Sequence, residues 1–495
     1  MSNDAISSAG PVGTSATTTP KRLTGNLGVT AIVFMVVAAA APLTVVGGTM
    51  PLGFGLGNGL GLPVTFVIAA VILCLFTVGL SRMSRVVSKP GAFYTYIREG
   101  LGNTAGTAAA FVAVVSYIVV PLATSAYAGV QLNLAVSSLG GPEIPWWIYS
   151  LATIAIIGVI GYRSIDLTSR VLGVLLVGEV LVVAVLAAVV LAVGGDAGMT
   201  SKPFEPSNLL SGNIGLAMMF AITGFIGFEA TAVFRDEARD PVRTVPRATY
   251  ISVTVIGLFY TFAAYVMIVA WGPDNVVSQA ISDPAGMLVG TTDRYLGAVG
   301  VVAAQALLIT SILACILAFH NVTARYLHAL AGDGMLPRKI NSIHEVHGSP
   351  AQSSLIVTGV SIAFLLVAVI LGLDPVTQVF SWFSSLITVG VIILMIATGI
   401  AVLVYFAKNR ADSTIWTCVG VPTLSVLGLG ISLFLLVQNF PMLVGGSRAL
   451  AYTLLGIFPI AALVGVAVAK RKTTERHRNP LRFLQASPEE IPGTT

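Results

Sequence analysis

Charged residues are scarce in this sequence, because Asp, Glu, Lys and Arg together make up only 9% of its 495 residues. A water-soluble domain usually carries about a quarter charged residues. Hydrophobic residues make up 56% of the chain, and the mean hydropathy is +0.91. These values exclude an ordinary soluble protein and indicate a chain that is surrounded mostly by lipid.

Cysteine is also rare, and Cys74, Cys315 and Cys418 all lie in apolar runs. A thiol in such a run behaves as a small hydrophobic group, so neither a disulfide framework nor a metal site is expected. The sequence has no Walker-type phosphate loop, no Ser/His/Asp set and no residue cluster with metal-ligand spacing. We therefore expect no enzyme activity, no ATP-driven pumping and no cofactor other than a coupling ion, a proton or sodium.

Residues 1–24 are rich in Ser, Thr and Ala, and they lack the basic start and short apolar core of a signal peptide. We expect a disordered tail there. No charged residue occurs from Leu23 to Ser81, and this long run divides at the Gly- and Pro-rich stretch 51–63. Such a stretch indicates a turn between two membrane crossings.

Charge-poor runs of about 20 residues, the length that a bilayer core requires, recur along the whole chain. They predict an all-α membrane protein with about twelve transmembrane helices. The predicted spans are residues 27–50, 62–81, 104–134, 146–162, 168–194, 212–233, 249–272, 295–325, 351–372, 376–405, 415–438 and 449–469.

The basic residues predict the orientation of the chain. An even number of spans puts both termini on one side, and all of the 26 Lys and Arg residues except Lys202, Arg294 and Arg448 fall on that side. Because cytoplasmic loops carry an excess of Lys and Arg, we expect both termini in the cytoplasm and the spans in the inner membrane. The bases are spread along the chain without interleaved aromatic residues, so nucleic-acid binding is not indicated.

Two of the spans contain residues that interrupt a helix. The first reads AAAAPLTVVGG, with Pro42 ahead of Gly47 and Gly48, and the sixth reads TGFIGFE, with Gly224 and Gly227. Proline removes a helical hydrogen bond and glycine relaxes the backbone, so both helices are expected to unwind. Unwound backbone in a membrane is tolerated beside a protein-lined cavity, where its amides and carbonyls can bind a solute. The alternative is that these residues only allow close helix packing.

Two acidic residues, Glu179 in the fifth span and Glu229 after the sixth-span interruption, fall within the predicted membrane region. An ionised carboxylate at a helix centre costs about 2.5 to 3.5 kcal/mol on insertion scales, so neither is expected to be idle. Burial favours the neutral form, which leaves proton coupling, cation binding and a structural role open. Thr310 and Ser311 of the eighth span can offer hydroxyls to a small cation, or bond back to their own helix.

Three separated stretches carry a family pattern. GFIGFEATAVFRDEARDPVRTVPRA, residues 224–248, resembles the sixth helix and following loop of the amino acid/polyamine/organocation permeases. PGAFYTYIREGLG, from Pro90, resembles their loop after the second helix. ARYLHALAGDGMLP, from Ala324 to Pro337, resembles the end of their eighth helix. The resemblance covers about residues 25–470.

The resemblance implies the leucine-transporter-type fold. Helices one to five (25–195) and six to ten (208–407) are then inverted repeats, followed by two further helices (408–470) and a cytoplasmic tail (471–495). Helices one and six line the substrate site in this family. Many members have a G-S/T-G sequence where this chain has Ala40, Ala41 and Pro42, and some carry a lysine where Glu179 stands.

The resemblance also implies the roles of individual residues. Backbone groups of the interrupted helices are expected to bind the substrate, namely those of Ala40, Ala41, Thr44, Gly224 and Gly227. Phe225 and Phe228 are expected to supply a gate. Glu229, with Glu179, is expected to link protonation to the conformational change, and Thr310 and Ser311 are candidate ion ligands.

These observations favour uptake of an amino acid that is driven by the proton gradient. A polyamine or basic amino acid is the alternative substrate, because the predicted core has two acids and no base; sodium coupling and exchange also stay open. A solute channel, from another functional class, has a similar composition, but interrupted helices in two repeats favour alternating access. The expected partners are a small-molecule substrate and the lipid bilayer, and the chain acts as a monomer or a homodimer.

Overall fold

The computed structural model describes residues 27–87, 93–163, 169–233, 238–344, 348–409 and 415–478. Within these ranges the chain is all-helical, as predicted, apart from turns and a single bridge between Leu27 and Ala238. The predicted N-terminal tail and the C-terminal residues from 479 onward lie outside the described residues.

Apolar helices make up most of the fold. In chain order they are α1 (Val29–Leu56), α2 (Gly59–Val86), α3 (Asn103–Ser138), α4 (Trp146–Tyr162), α5 (Val171–Val193), α6 (Ile214–Thr223), α7 (Pro241–Trp271), α8 (Met287–Gly332), α9 (Ala351–Ile370), α10 (Pro375–Lys408), α11 (Trp416–Leu443) and α12 (Arg448–Lys472). Ten of these, counted over the described ranges, are long and apolar enough to cross a membrane. α4 and α6 are apolar but have only 17 and 10 residues.

Some helix ends differ from the predicted spans. α1 stays helical through the first part of the Gly- and Pro-rich stretch and ends at Leu56, not near residue 50. α8 begins at Met287, but Gly297, with a φ of +64°, breaks its winding, so its first ten residues form a separate helical segment. The helical segment Ile457–Arg478, which overlaps the second part of α12, continues beyond the predicted end of the final span.

Ion pairs mark the two ends of the helix bundle. At one end, Arg98 of the short helix Phe93–Leu101 lies 3.5 Å from the Asp333 carboxylate, and Lys472 donates to the Asp333 carbonyl. We call this the basic end, because most of the Lys and Arg residues at helix termini are there. The opposite end has two further pairs, Lys202 with Asp274 and Arg294 with Asp196.

The interrupted parts of α1 and α6 lie in the middle of the bundle. α1, α3, α7 and α10 are the most enclosed of the long helices, whereas α9, α11 and α12 present most of their residues to the surroundings. Apolar side chains such as Ile370 and Leu463 are exposed there. A helix bonds its own backbone groups, so these faces suit hydrocarbon, while residues 40–50 and 224–229 are buried in protein.

Candidate functional site

α1 is interrupted one residue before Pro42. Its first half ends at Ala39, Ala41 has a φ of +48°, and the second half begins at Pro42. A left-handed alanine costs of the order of 1 to 3 kcal/mol, so the surrounding structure has to hold it. Proline suits the first position of a helix because it has no N–H to leave unpaired. The predicted unwinding of α1 is confirmed, although the π-helical segment Val45–Thr49 keeps the following glycine pair wound.

A carboxylate from α5 caps the start of the second half of α1. Oε2 of Glu179 accepts hydrogen bonds from the Leu43 N–H at 3.1 Å and from the Ser311 hydroxyl of α8 at 3.0 Å. The Thr44 hydroxyl donates to Ser311 Oγ at 3.2 Å. Glu179 is only 4% exposed. A helix N-terminus favours a negative charge, so these contacts offset part of the cost of burying the carboxylate.

α6 is interrupted over six residues. Its regular winding ends before Gly224, tight turns follow, and a short helix restarts at Ala230. Gly227 has a φ of +112°, in a region that glycine adopts readily and other residues rarely adopt. Glu229 holds the turn, because its Oε2 accepts from the Gly227 N–H and its Oε1 from the Tyr117 hydroxyl of α3, both at 2.9 Å.

A central cavity of about 50 Å³ lies between the two interruptions. Its walls come from α1, α3, α6, α8 and α10, and the residues that the structure gives as its lining include no charged side chain. Two aromatic rings, Phe319 and Phe380, form part of the wall. Its polar side chains are the thiol of Cys315 and five hydroxyl groups, those of Thr44, Thr49, Thr124, Thr223 and Ser384. This volume has room for a few water molecules.

A second cavity of about 40 Å³ adjoins the first on the side of the basic end. Glu229, Tyr117 and Tyr326 line it, and Ala39 and Phe319 line both cavities. The Phe319 ring stacks on the Tyr117 ring, with centroids 5.9 Å apart. Ala39 and the Phe319 ring therefore form the partition between the central cavity and Glu229.

Aromatic side chains close the second cavity toward the basic end. The Tyr326 ring packs between Tyr117, at 5.5 Å between centroids, and Tyr94, at 5.7 Å. The Arg98 guanidinium lies over the Tyr94 ring at 5.6 Å, and the same arginine pairs with Asp333. A column of rings capped by an ion pair thus separates Glu229 from the surroundings.

The central cavity is closed at its other side by a ring pair. Phe380 stacks on Tyr127 with centroids 4.7 Å apart and planes 20° apart. The pair lies against Gly48 of α1, where an added Cβ would be 3.0 Å from the Phe380 ring. The absence of a side chain at Gly48 therefore allows the ring to cover the cavity.

The family of the chain follows from comparison with known proteins. The amino acid permease family model matches residues 23–471, nearly all of the described fold. The chain belongs to this family. The resemblance that the sequence motifs indicated is thereby confirmed, and the protein is a membrane transporter of small molecules, not an enzyme.

Curated relatives of the permease are similar over most of its length. The low-affinity putrescine importer PlaP of Escherichia coli (strain K12) is 23% identical over 325 residues, which cover 62% of this chain and 68% of the relative. The branched-chain amino acid permease BcaP of Bacillus subtilis (strain 168) is 21% identical over 400 residues, 77% and 81% of the two chains. The gamma-aminobutyric acid permease of the same organism is 23% identical over 374 residues, 72% and 74%.

The structure brings only some of the predicted substrate-binding residues of the permease to the central cavity. Ala40, Ala41 and Thr44 line it. Gly227 lines the second cavity, next to Glu229. Gly224 lines neither, because it lies against the ring of a tyrosine on α7.

The predicted gate residues Phe225 and Phe228 also line neither cavity. Phe225 packs edge-on against Tyr260 of α7, and Phe228 packs against a ring of α2. Both are fully buried between helices. The rings that border the central cavity are instead Phe319 and Phe380.

The two candidate ion ligands of α8 have different surroundings. Ser311 belongs to the Glu179 cluster, whereas the Thr310 hydroxyl donates to the Leu307 carbonyl of its own helix at 2.9 Å. The geometry therefore offers Ser311, but not Thr310, to an ion beside α1.

Sequence reasoning missed Tyr117, Phe319 and Phe380. All three lie in long apolar spans, where an aromatic residue is most often ordinary packing. One signal was available for Tyr117, since a buried tyrosine hydroxyl usually finds a partner, and Glu229 is an acceptor in the same membrane region. No such signal marks a phenylalanine.

Substitution of Ala41 tests the interruption of α1. Ala41→Val is expected to destabilise the permease by about 1 to 3 kcal/mol, because a β-branched residue fits the left-handed region poorly. Ala41→Gly is the matched control and should be at least as stable as the parent. Thermal unfolding in detergent measures both, and an equally stable valine variant would show that α1 does not need this backbone conformation.

Proposed function

We propose that this permease, a transporter of amino acids or polyamines, imports amino acids across the cytoplasmic membrane by proton-coupled alternating access, with both termini in the cytoplasm. The observation that carries the proposal is the closed cavity between two interrupted helices, one aromatic ring away from a buried carboxylate. The names of the branched-chain and gamma-aminobutyric acid permeases support amino acids as substrates.

The central cavity offers an amino acid two kinds of polar partner. The Ala40 and Ala41 N–H groups bond to the Val36 and Ala38 carbonyls. The Leu43 N–H bonds to Glu179 and not to the Ala39 carbonyl, so that carbonyl is available at the interruption to bind an ammonium group. The hydroxyls of Thr44, Thr124 and Ser384 donate and accept, so they can bond to either end of the substrate. The small volume means that Phe319 or Phe380 has to move when a substrate binds.

We assign proton coupling to Glu229. It lies between the central cavity and the basic end, and it joins the α6 interruption to Tyr117 of α3. Hydrogen bonds to an ionised carboxylate are stronger than those to a neutral one. Protonation therefore weakens the link between α3 and α6, two helices that close the cavity on this side.

Glu179 is a second group for coupling. Its carboxylate, Ser311 and Thr44 bring oxygen atoms from α5, α8 and α1 together in a buried position. A proton on Glu179 removes the charge that caps the second half of α1. Alternatively, a sodium ion binds among the same oxygen atoms. Transport assays under a pH gradient and under a sodium gradient distinguish these two possibilities.

A polyamine or basic amino acid is the second candidate substrate. For such a substrate, the permease could exchange one solute for another in place of net uptake. Among the described lining residues of the two cavities there is a carboxylate, Glu229, and no basic side chain. The name of the putrescine importer supports this reading. A solute channel is disfavoured, because aromatic rings close the cavities at both ends.

Transport into liposomes tests the proposal. Purified permease is reconstituted, and labelled amino acids and putrescine are offered under an imposed pH gradient or sodium gradient. We expect an amino acid to accumulate when the lumen is alkaline. Accumulation of putrescine alone would favour the second candidate substrate. Accumulation under the sodium gradient alone would mean that sodium, and not the proton, is the coupling ion. If no amino acid accumulates, the proposal is contradicted.

The labelling rate of Cys315 tests whether Phe319 forms the partition and whether a solute binds in the central cavity. It lines the central cavity, whereas Cys74 lies at the surface and Cys418 is buried elsewhere. In a Cys74→Ser background, Phe319→Ala is expected to speed the labelling of Cys315 by N-ethylmaleimide at least about tenfold, because a reagent that enters when the basic end opens then meets no partition, and thiol reactivity follows access. A transported solute should slow the labelling.

Phe364→Ala is the control for this measurement. Phe364 packs against Phe383, and neither lines the cavities, so the same loss of a ring should leave Cys315 labelling unchanged. Equal labelling rates in Phe319→Ala and the parent would show that this ring is not the partition.

A further inference from the structure

A groove of about 400 Å³ runs along the outer surface of the bundle between α2 and α7. It is separate from the two cavities and shares no lining residue with them. Its walls are mostly aliphatic, with Cys74, Thr254, Thr261 and Tyr250 as the polar exceptions. A groove of this composition on the membrane-facing surface is suited to an apolar chain.

The length of the groove matches one leaflet of a bilayer. On α2 it extends from Val67 to Val78, which at 1.5 Å per residue is about 16 Å. The hydrocarbon core of a bilayer is about 30 Å thick, so one leaflet contributes about 15 Å. The groove ends at Tyr250 near the start of α7, and tyrosine is enriched at the level of lipid headgroups.

Arginine residues continue the groove beyond this end. On α2, Arg82 and Arg85 follow Val78 at helical spacing on the same face, and on α7 Arg247 lies one turn before Tyr250. None of the ion pairs found in the described ranges involves these three arginines.

We propose that this groove binds an anionic phospholipid, with an acyl chain along α2 and α7 and the phosphate on Arg82, Arg85 and Arg247. Basic pockets between transmembrane helices bind acidic headgroups, and each nearby arginine adds to the attraction. The apolar length of the groove requires a lipid chain, which free phosphate lacks. These three positive charges have no anionic partner among the described residues, which favours an acidic lipid over a zwitterionic one.

Lipid retention measured by native mass spectrometry tests the headgroup site. The full-length permease is taken from vesicles that contain equal amounts of phosphatidylglycerol and phosphatidylcholine. We expect phosphatidylglycerol to be retained at least about tenfold more often. Arg82→Gln combined with Arg247→Gln should remove the preference, whereas the matched pair Arg163→Gln and Arg338→Gln, at the same end but outside the groove, should keep it. Equal retention of the two lipids by the parent, or a preference that survives in Arg82→Gln/Arg247→Gln, overturns the proposal.

A second variant tests the groove itself. Val71 lines the groove and is 53% exposed, so Val71→Trp fills the groove without disturbing the core. Val174→Trp is its control, because Val174 is 68% exposed on α5 and is not among the lining residues of this groove. We expect Val71→Trp to lower phosphatidylglycerol retention severalfold and Val174→Trp to leave it unchanged. Unchanged retention in Val71→Trp shows that the acyl chain does not lie there and overturns the proposal.

Discussion

Glu229→Gln is expected to abolish proton-driven accumulation while the permease stays folded. The glutamine side chain keeps the size of the carboxyl group, and it can keep both contacts as neutral hydrogen bonds: its amide oxygen accepts from the Gly227 N–H and its NH2 donates to the Tyr117 hydroxyl oxygen. It cannot take up or release a proton. Hydrogen bonds to a charged group contribute about 1.5 to 3 kcal/mol, so loss of one such bond corresponds to roughly 10- to 100-fold in rate if the bond acts in the limiting step.

The pH dependence of uptake identifies the cause of this loss. Parent permease in liposomes with an alkaline lumen should take up substrate faster as the external medium becomes more acidic, because protons then enter with the substrate. The glutamine variant should show a flat profile, and exchange of labelled for unlabelled substrate should continue. Gradient-driven accumulation by Glu229→Gln at the parent rate would show that Glu229 only holds helices together.

Tyr117→Phe is the matched control for Glu229→Gln. It removes the hydroxyl that donates to Glu229 Oε1 but leaves the carboxyl group and the Gly227 bond in place. We expect slower uptake that still responds to external pH. A flat pH profile in Tyr117→Phe would mean that the hydroxyl, and not the carboxyl group, carries the response.

Glu179→Leu is expected to have the second large effect, on stability as well as on transport. Leucine has a similar size but leaves the Leu43 N–H and the Ser311 hydroxyl without their acceptor in a buried position. Each buried polar group without a partner costs about 1 to 3 kcal/mol. The melting temperature in detergent and the uptake rate should therefore both fall.

Glu179→Gln separates the structural role of this residue from coupling. The amide oxygen still accepts a hydrogen bond, so the melting temperature should stay close to that of the parent, while the response to a pH or sodium gradient is lost. Thr310→Ala is the neutral control, because that hydroxyl bonds only to its own helix. A leucine variant with parental stability and uptake would remove Glu179 from the mechanism.

The fold class and both helix interruptions follow from local properties of the sequence. A low charge content predicts a membrane protein, and Pro42 and Gly227 predict unwound backbone because their effects act on neighbouring residues. Even here the detail needed the structure. Pro42 does not lie inside the break but starts the next helix, and the strained residue is Ala41.

The contents of the site were not predictable to the same degree, because they depend on contacts between distant parts of the chain. Tyr117 and Glu229 are 112 residues apart in sequence, and Leu43 and Glu179 are 136 residues apart. Which side of an apolar helix faces the cavity is set by packing with its neighbours. Phe225 and Phe319 are equally apolar, yet only Phe319 lines the central cavity.

The thin partition at Phe319 has a consequence for the timing of transport. Phe319 is only 6% exposed, so its ring can rotate only when the neighbouring side chains make room, and more slowly than an exposed ring, which rotates in picoseconds to nanoseconds. In the proposed mechanism, passage between the two chambers requires this one side chain to move, whereas collective helix motions take microseconds to milliseconds. Departure at the basic end is different, because the Tyr94–Tyr326 rings and the Arg98–Asp333 pair have to separate. In the proposed mechanism, we therefore expect release at the basic end, and not passage between the two cavities, to limit the turnover rate.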